Sequence, residues 1–337
     1  MVQHRQSYAL AHTATARFWH DLRPTDLHWT LSDTGWAKFA WGKLYGQWIQ
    51  GAAVVCHDQQ GRFDAAAHLD LIARLGVTTF CAPPTAYRMM ILEDLRAFDL
   101  STLRHCTAAG EPLNPEIIRV WREATGITIY DGYGQTETTN LIANFPCVPV
   151  RPGAMGKPVP GLTVDIVDDH GQPLPDDTEG NIAVRVRPDY PAGVCDGYLE
   201  DAEATDAAWV GDWYFTADRG YRDADGYFWF VGRSDDVIKA SGYRIGPFEV
   251  ESALQSHPAV AESAVVGKAD DLRGTIVKAF VVLAPGHVAS DDLAADIQEH
   301  VKRETAPYKY PREVEFVEEL PKTISGKIRR VELRAKD

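Results

Sequence analysis

The fold is decided by the stretch from Leu103 to Thr138, which reads LRHCTAAGEPLNPEIIRVWREATGITIYDGYGQTET. It begins with an apolar run, Leu103–Thr107, that is typical of a buried strand. Asn114 can cap a helix that Gly126 ends, because Asn accepts hydrogen bonds from free N–H groups and Gly adopts the left-handed backbone of a C-cap. A second strand starts with Thr128–Asp131. Strand, helix and strand in this order predict two parallel strands joined by a crossover helix.

The same alternation precedes this stretch. It predicts strands over Ala52–His57 and Thr78–Ala82, a helix over Asp64–Leu75 with Gly76 as its C-cap, and a further helix over Thr85–Phe98. Repeated strand–helix units favour an α/β fold with a parallel sheet. In such sheets ligands bind at the carboxyl ends of the strands, and the polar run that closes the quoted stretch lies at such an end.

Two changes of pattern divide the rest of the chain. Residues 150–232 are rich in turn residues and short strands, which predicts a small β-subdomain. Residues 235–337 mix helical and strand patterns and predict a compact α+β domain. We therefore expect a large domain over 1–234, made of a βαβ part (1–149) and the β-subdomain (150–232), followed by a small mobile domain over 235–337.

The composition is typical of a soluble globular protein and narrows the range of partners. The 337 residues carry a formal net charge of −14, which argues against nucleic acid or an anionic membrane surface as the main partner, since both require a basic surface. The five cysteines include no C-x-x-C pair, which favours a reducing cytoplasm over a disulfide framework or a zinc site. There is no apolar run as long as a membrane span and no signal-peptide pattern at the start.

The polar turn after the second strand has groups suited to a nucleotide. The hydroxyl of Thr136 can donate to a phosphate oxygen, and Glu137 is a hard oxygen ligand of the kind that holds Mg²⁺ together with phosphates. Gly110, which follows the first strand, allows a flat base to approach the backbone closely. The alternatives are an exposed polar turn and an ordinary strand-to-helix turn.

Three later residues can take part in the same chemistry. The carboxylate of Asp218 can accept hydrogen bonds from both ribose hydroxyls of a nucleotide. The ammonium of Lys327 can offset the charge that develops on a phosphorus under attack. Arg233 begins an Arg-x-Asp-Asp run that, taken alone, is more often a solvated face.

Four motifs in order resemble the signature of the adenylate-forming (AMP-binding) acyl-CoA synthetase family. They are DGYGQTET (Asp131–Thr138), FTADRG (Phe215–Gly220), VGRSDDVIKASGYRIGPFEVE (Val231–Glu251) and PKTISGK (Pro321–Lys327). The resemblance covers essentially the whole chain, and SDTGWAKFAWG (Ser32–Gly42) is similar to the medium-chain branch of that family. One departure is Ala217, which stands where the family's Y-x-T-G-D pattern has glycine.

The resemblance implies a set of site residues. It places Thr136, Glu137, Arg244 and Lys327 in catalysis, with Glu137 on the metal, Asp235 at a hinge, and Trp36 and Gly134 in the acyl pocket. It implies AMP or ATP contacts from Gly110, Glu111, Pro112, Asp131, Gly132, Tyr133, Gly134, Gln135, Thr136, Asp218, Arg233 and Lys327. It implies CoA contacts from Ser241, Gly242, Tyr243, Arg273, Lys302, Tyr310 and Arg312.

The implied reaction has two halves and needs ATP, Mg²⁺ and CoA but no prosthetic group. A fatty acid carboxylate, of medium chain length in this branch, attacks ATP to give acyl-AMP and diphosphate. The small domain then rotates, and the CoA thiol attacks the adenylate to give acyl-CoA and AMP. Gly at position 134, where acetate-specific relatives have Trp, predicts a pocket open to a longer tail.

One family motif has no counterpart in the sequence, the S-G-T-T-G-x-P-K loop that holds the β- and γ-phosphates. We therefore expect an N-terminally truncated synthetase, from an internal start, a split gene or a degraded copy, whose adenylation is impaired. The alternatives are a non-catalytic or partner-dependent nucleotide- or CoA-binding fragment, and an aryl-CoA ligase. Self-association, or pairing with a complementing N-terminal fragment, is the corresponding expectation for partners.

Overall fold

The computed structural model of the chain describes residues 1–32, 34–58, 61, 63–234, 236–240, 243–270, 274–322 and 328–335. It divides into two compact units, Met1–Trp229 and Phe230–Asp337. The strand over Phe228–Arg233 crosses this division, just before the domain boundary that the sequence predicts after Ser234.

The first unit holds most of the regular structure. Its strands are β1 (Val2–Gln3), β2 (Leu27–Thr30), β3 (Ala53–Val54), β4 (Thr79–Ala82), β5 (His105–Ala109), β6 (Ile129–Gly134), β7 (Asn140–Ala143), β8 (Ala154–Pro158), β9 (Val164–Val167), β10 (Gly180–Arg185), β11 (Gly197–Tyr198), β12 (Trp209–Val210), β13 (Trp213–Arg222) and β14 (Phe228–Arg233). Its helices are α1 (Tyr8–Ala14), which continues into a π-helical turn (Thr15–Trp19), α2 (Ala37–Lys43), α3 (Tyr45–Ile49), α4 (Ala65–Leu75), α5 (Pro84–Met90), α6 (Pro115–Thr125) and α7 (Ala202–Ala208).

A parallel ladder forms one half of the main sheet, which confirms the predicted α/β class. Its strands lie in the order β3-β2-β4-β5-β6 and pair in parallel throughout. Phe80 of β4 is in register with Cys106 of β5, and Ala108 of β5 with Asp131 of β6. Helices α4, α5 and α6 supply apolar side chains to the core beside these strands, with Leu69, Tyr87 and Trp121 fully buried. The ladder therefore brings the carboxyl ends of β5 and β6 side by side.

The helix ends follow the predicted chemistry, with one exception. Asp64 caps α4 by accepting from Ala67 N–H, and Gly76 ends it with φ of 65°. Asn114 caps α6 by accepting from Glu116 N–H, and Gly126 ends that helix with φ of 76°. The single helix predicted over Thr85–Phe98 is wrong, because α5 ends at Met90 and a 3₁₀ turn follows over Leu95–Ala97. The side chain of Asp94 accepts from Arg96 N–H, and such local bonds compete with helix continuation.

The other half of the sheet is largely antiparallel and contains the strands of residues 150–232. The strands continue from β6 in the order β7-β8-β14-β13-β10-β9, with β12 on β13. Val167 of β9 packs with Ala183 of β10 and Trp213 of β13. These strands extend the large sheet. The carboxyl ends of β5 and β6 therefore lie in the same sheet as β13.

In the second unit, helices pack against a β-sheet. Its elements are β15 (Ile238–Ala240), β16 (Tyr243–Ile245), α8 (Pro247–Gln255), β17 (Val260–Asp270), β18 (Gly274–Leu283), α9 (Asp291–Glu304), β19 (Glu313–Phe316) and α10 (Arg330–Arg334). Strands β17 and β18 pair antiparallel, and β19 joins β18 in parallel. Leu254 of α8 and Ile297 of α9 are buried against Val265 of β17. In neither unit do the described residues include a helix with the length and apolar character needed to cross a bilayer.

All five cysteines are free thiols. Cys81, Cys106 and Cys195 are buried, whereas Cys56 and Cys147 are exposed. Burial raises the pKa of Cys106 to about 12 and that of Cys195 to about 11, so both are protonated thiols at neutral pH.

Candidate functional site

The turn after β5 is shaped for close approach. Gly110 has φ of 109°, a conformation that L side chains rarely adopt. The ammonium of Lys38, on α2, donates to the carbonyl oxygen of Ala109 at 2.6 Å. A Cβ added to Gly110 would lie 3.2 Å from the same Nζ. The structure thus brings a half-buried cation to the end of β5. Lys38 belongs to the quoted stretch Ser32–Gly42, but the sequence did not predict its contact with Ala109.

Glu111 ties this turn to the start of α5. Its Oε1 accepts from the backbone N–H of Thr85 at 2.8 Å and from the Thr85 hydroxyl at 2.5 Å. Gly110, Glu111 and Pro112 therefore lie at the carboxyl end of β5, where the sequence predicts the adenine-side turn. Their contact with a base remains a prediction.

The end of β6 begins with a buried acid. Asp131 accepts from the N–H of Gly132 at 2.9 Å, and burial raises the pKa of its carboxyl to about 8. A Cβ on Gly132 would lie 2.5 Å from the indole of Trp19, so the glycine lets that ring close over the strand. The carboxyl is therefore protonated over much of the neutral range, unlike an ordinary aspartate.

Two of the quoted motifs meet at Asp218. The hydroxyl of Tyr133 donates to Oδ2 of Asp218 at 2.6 Å, and Nε2 of Gln135 donates to the same oxygen at 2.8 Å. Nε2 of Gln135 also donates to the carbonyl oxygen of Thr216 at 2.7 Å. Asp218 is buried on β13, while Tyr133 and Gln135 lie at the end of β6. A carboxylate so oriented beside the parallel strand ends is suited to the ribose hydroxyls of a nucleotide.

The Thr136–Glu137 turn is held by groups far away in sequence. Nε2 of His4 lies 2.7 Å from the carbonyl oxygen of Thr136. The N–H of Cys195 donates to the carbonyl oxygen of Glu137 at 2.8 Å. The Tyr198 hydroxyl donates to Oε1 of Glu137 at 2.9 Å. The side chain of Thr136 is exposed. Sequence reasoning missed His4 and Tyr198, which reach the turn because β1 pairs with β11.

Two phenols supply hydrogen-bond donors to this turn. The hydroxyl of Tyr214 donates to Oε1 of Gln135 at 3.1 Å. Burial raises the pKa of Tyr198 to about 12, and burial also raises the pKa of Tyr214. Both hydroxyls are therefore protonated at neutral pH and act as donors.

Glu137 fits the role expected of a ligand to a substrate-borne Mg²⁺. No cluster of three or more His, Cys, Asp or Glu residues able to hold a metal occurs within the described part of the chain. Mg²⁺ in nucleotide sites is commonly held by one or two carboxylates plus substrate phosphates. A single carboxylate beside an exposed threonine hydroxyl is compatible with that arrangement.

Ala217 has a strained backbone. Its φ is 59°, in the left-handed region that favours glycine, and it immediately precedes Asp218. The family pattern has glycine at this position, so the structure gives the physical reason for the preference. In this chain the conformation is kept although the residue is alanine.

Gly134, at the end of β6, is in register with Asn140 of β7. A Cβ there would lie 2.5 Å from the carbonyl oxygen of Thr139 and 2.9 Å from Cα of Asn140. A larger residue at position 134 would thus require a shift of the neighbouring backbone. Trp36, the other residue predicted for the acyl pocket, is the N-cap of α2 and is partly exposed. The pocket itself remains a prediction.

In the second unit, the predicted residues of strand β16 are exposed. Arg244 is in register with Lys239 of β15, and the ring of Tyr243 stacks on Tyr308 with 4.1 Å between centroids. Arg233 is the exposed last residue of β14. The side chains of Arg244 and Tyr243 thus lie on a surface of the second unit that a ligand can reach.

Three residues predicted to contact CoA meet around one ring. The ammonium of Lys302 lies 4.3 Å from the centroid of Tyr310, and the guanidinium of Arg312 lies 4.9 Å from it. Nη1 of Arg312 also donates to the Tyr310 hydroxyl at 2.8 Å. Two cations on one aromatic ring form a surface suited to phosphate groups.

Lys327, Asp235, Ser241, Gly242 and Arg273 lie outside the described residues. The predicted hinge, the pantetheine segment and the catalytic lysine are therefore still sequence predictions.

Family models match two segments of the chain. The model described as AMP-binding enzyme matches residues 1–199, and the model described as AMP-binding enzyme C-terminal domain matches residues 249–327.

Curated relatives match along the whole chain. Acyl-coenzyme A synthetase ACSM3, mitochondrial, of Rattus norvegicus is 52% identical over 340 residues, which cover 100% of this chain and 58% of that protein. Acyl-coenzyme A synthetase ACSM4, mitochondrial, of Homo sapiens is 50% identical over 337 residues, covering 99% of this chain and 58% of its own length. The chain therefore spans little more than half the length of these relatives.

Solved structures share the fold. The anthranilate CoA ligase AuaEII, in complex with anthranoyl-AMP, matches with a TM-score of 0.90 at 38% identity, covering 98% of this chain and 63% of that chain. A benzoate CoA ligase from Burkholderia xenovorans LB400 matches with a TM-score of 0.86 at 32% identity, covering 97% of this chain and 65% of the other.

Proposed function

Because the chain belongs to the AMP-binding enzyme family, we propose that it forms the nucleotide- and CoA-binding part of an AMP-forming acyl-CoA synthetase. The observation that carries this proposal is the pair of hydrogen bonds from Tyr133 and Gln135 to Asp218. They join two motifs, distant in sequence, at the carboxyl ends of parallel strands. The overall reaction converts a carboxylic acid, ATP and CoA into acyl-CoA, AMP and diphosphate.

The first half-reaction depends on positioning. Asp218 orients the ribose, while the exposed hydroxyl of Thr136 faces an α-phosphate oxygen. Glu137 would hold a Mg²⁺ ion brought with the phosphates, and that ion would supply charge neutralisation at the phosphates when bound. Lys327 is the proposed cation for the transition state. The bonds from His4, Cys195 and Tyr198 keep the Thr136–Glu137 turn in one conformation before the nucleotide arrives.

The second half-reaction uses the second unit. We assign the CoA phosphates to the cations around Tyr310, and the pantetheine to the segment at Ser241, Gly242 and Tyr243. Arg273 and Arg244 complete the proposed set. We propose that rotation at Asp235 takes the enzyme from the first half-reaction to the second, a hinge motion of the kind by which domains close around ligands.

The acid substrate is proposed to be a medium-chain fatty acid, with Gly134 and Trp36 at the pocket. A second candidate, an aryl carboxylate, is favoured by the solved ligases whose names refer to anthranilate and benzoate. A panel of carboxylates with ATP and CoA, read by mass spectrometry of the acyl-CoA products, separates the two. Formation of aryl-CoA with no fatty acyl-CoA would overturn the first assignment.

Adenylation by this chain alone is proposed to be slow. The sequence contains no S-G-T-T-G-x-P-K run, so the β- and γ-phosphates lack that loop. A complementing N-terminal fragment, or self-association, is the proposed partner. Normal rates of diphosphate exchange from the purified chain would contradict this.

The thioester half tests the main proposal. Purified chain supplied with acyl-AMP and CoA should give acyl-CoA and AMP. The alternative, a non-catalytic binding fragment, predicts binding of AMP or CoA without turnover. Absence of both binding and acyl-CoA would end the proposal.

The compartment is proposed to be a reducing one, the cytoplasm by default. The five free thiols are compatible with it. The names of the mammalian relatives include the word mitochondrial, which describes the compartment of those proteins.

A further inference from the structure

An ion-pair cluster in the second unit joins the turn after β14 to the C-terminal helix. The N–H groups of Asp236 and Val237 donate to the carbonyl oxygen of Arg233 at 3.0 and 3.1 Å, which forms the turn. Oδ1 of Asp236 accepts from Nη1 of Arg334 at 2.9 Å, and Nη1 of Arg330 lies 3.7 Å from Oδ2. The turn is therefore held by two arginines of α10.

Arg330 also binds a second, buried carboxylate. Its Nη2 donates to both oxygens of Glu251 at 2.8 Å. The side chain of Glu251, on α8, is only 7% exposed, and its Oε1 also accepts from the N–H of Val265 at 2.8 Å. Truncating one member of such a buried pair leaves the other charge uncompensated. Arg330 thus fixes α10 against α8 and β17.

The chain on both sides of residues 323–327 is fixed in the same unit. Lys322 and Ile328 form an antiparallel bridge, and the N–H of Arg329 donates to the carbonyl oxygen of Pro321 at 2.8 Å. Leu333 of α10 is buried in an apolar cluster. A helix of this length does not persist alone in water, so these contacts and the ion pairs hold it.

We propose that Arg330 and Arg334 are positioning residues that make the turn after Arg233 and the C-terminal helix one rigid body. The effect of this rigid body on catalysis rests on the proposed function. Asp235 precedes Asp236 in sequence, and Lys327 lies three positions before Arg330. A rotation of the chain at Asp235 would therefore carry Asp236 and α10 together.

The test compares Arg334→Gln with Arg329→Gln in the full 337-residue chain. Arg329 pairs with Glu332 on its own helix and is the matched control. Hydrogen–deuterium exchange of peptides over 236–240 should rise about fivefold in Arg334→Gln, since loss of ~1 kcal/mol changes a local equilibrium by that factor. Exchange of α9 should stay unchanged, and Arg334→Lys should restore protection. Equal exchange at 236–240 in both Gln variants would overturn the proposal, and so would a rise spread over α9.

A second readout separates this inference from the proposed function. Acyl-CoA formation from supplied acyl-AMP should fall roughly fivefold in Arg334→Gln and in Asp236→Asn, but not in Arg329→Gln. Unchanged turnover in the first two variants would refute the positioning role. If the wild-type chain forms no acyl-CoA but the exchange pattern holds, the proposed function fails and the rigid body remains.

Discussion

Tyr133 donates a 2.6 Å hydrogen bond to the carboxylate of Asp218 although 85 positions separate them. The bond spans from the last parallel strand to the antiparallel half of the sheet, and Gln135 adds a second donor to the same oxygen. The ribose-binding carboxylate of the proposed site is thus positioned by the motif expected to contact AMP.

Removing the phenol should weaken nucleotide binding. Tyr133→Phe keeps the ring but leaves Oδ2 of Asp218 without this donor, and loss of one such bond is worth ~1 kcal/mol. We expect the Kd for AMP, measured by calorimetry, to rise about fivefold. Tyr227→Phe is the control, because its hydroxyl donates to the carbonyl oxygen of Pro149 instead. Equal affinities in the two variants would contradict the assigned role of Asp218.

The strained alanine predicts a stabilising substitution. Ala217→Gly should relieve the left-handed backbone at φ of 59° and raise the free energy of unfolding by about 1 kcal/mol. For a unit of this size the melting temperature would rise by roughly 2–4 °C. Ala67→Gly, in the exposed face of α4, should lower stability by about 0.5–1 kcal/mol. Thermal melts of both variants check this; a drop for Ala217→Gly would show that the strain is absent.

Asp131 predicts a pH dependence of stability. Its carboxyl has a pKa of about 8 when folded and 3.8 ordinarily, so between these values the folded state holds a proton that the unfolded state has lost. Stability from this group is therefore lost as pH rises through the window, by about 1.4 kcal/mol for each unit of difference. Asp131→Asn should flatten the fall of melting temperature between pH 5 and pH 8. Parallel curves for the two proteins would refute the raised pKa.

Gly134 predicts intolerance of any side chain. Gly134→Ala would bring a Cβ within 2.5 Å of the Thr139 carbonyl oxygen, and overpacking against backbone costs about 1–3 kcal/mol. Gly35→Ala is the control, since nothing lies within 4 Å of its added Cβ. Chemical denaturation should place Gly134→Ala well below both the wild type and the control. An unchanged free energy of unfolding in Gly134→Ala would show that the backbone at Thr139 and Asn140 shifts at no cost.

Local signals account for what the sequence could predict. Asp64, Gly76, Asn114 and Gly126 carry their own capping chemistry, so the bounds of α4 and α6 follow from a few neighbouring residues. The hydrophobic patterns of strands and helices have different periods, so the ends of the strands could be predicted, and the polar turn of DGYGQTET could be assigned to such an end.

The groups that hold the site came from distant contacts. Tyr198 reaches Glu137 through the β1–β11 pairing, and Lys38 reaches Ala109 through the placement of α2. Lys38 belongs to the quoted stretch Ser32–Gly42, but neither that stretch nor the residues around Tyr198 indicate these contacts. Likewise, the strands after residue 150 have the right character locally, but only their pairing shows that they extend the large sheet.

The uneven placement of the thiols provides a reporter for folding. A maleimide reagent should label Cys56 and Cys147 readily in the native chain, because these side chains face solvent. Cys81 of β4 and Cys106 of β5 are shielded and protonated, so they should react only after the large sheet opens. Counting adducts by mass would then measure how often that sheet opens, in crude extracts as well as in purified samples.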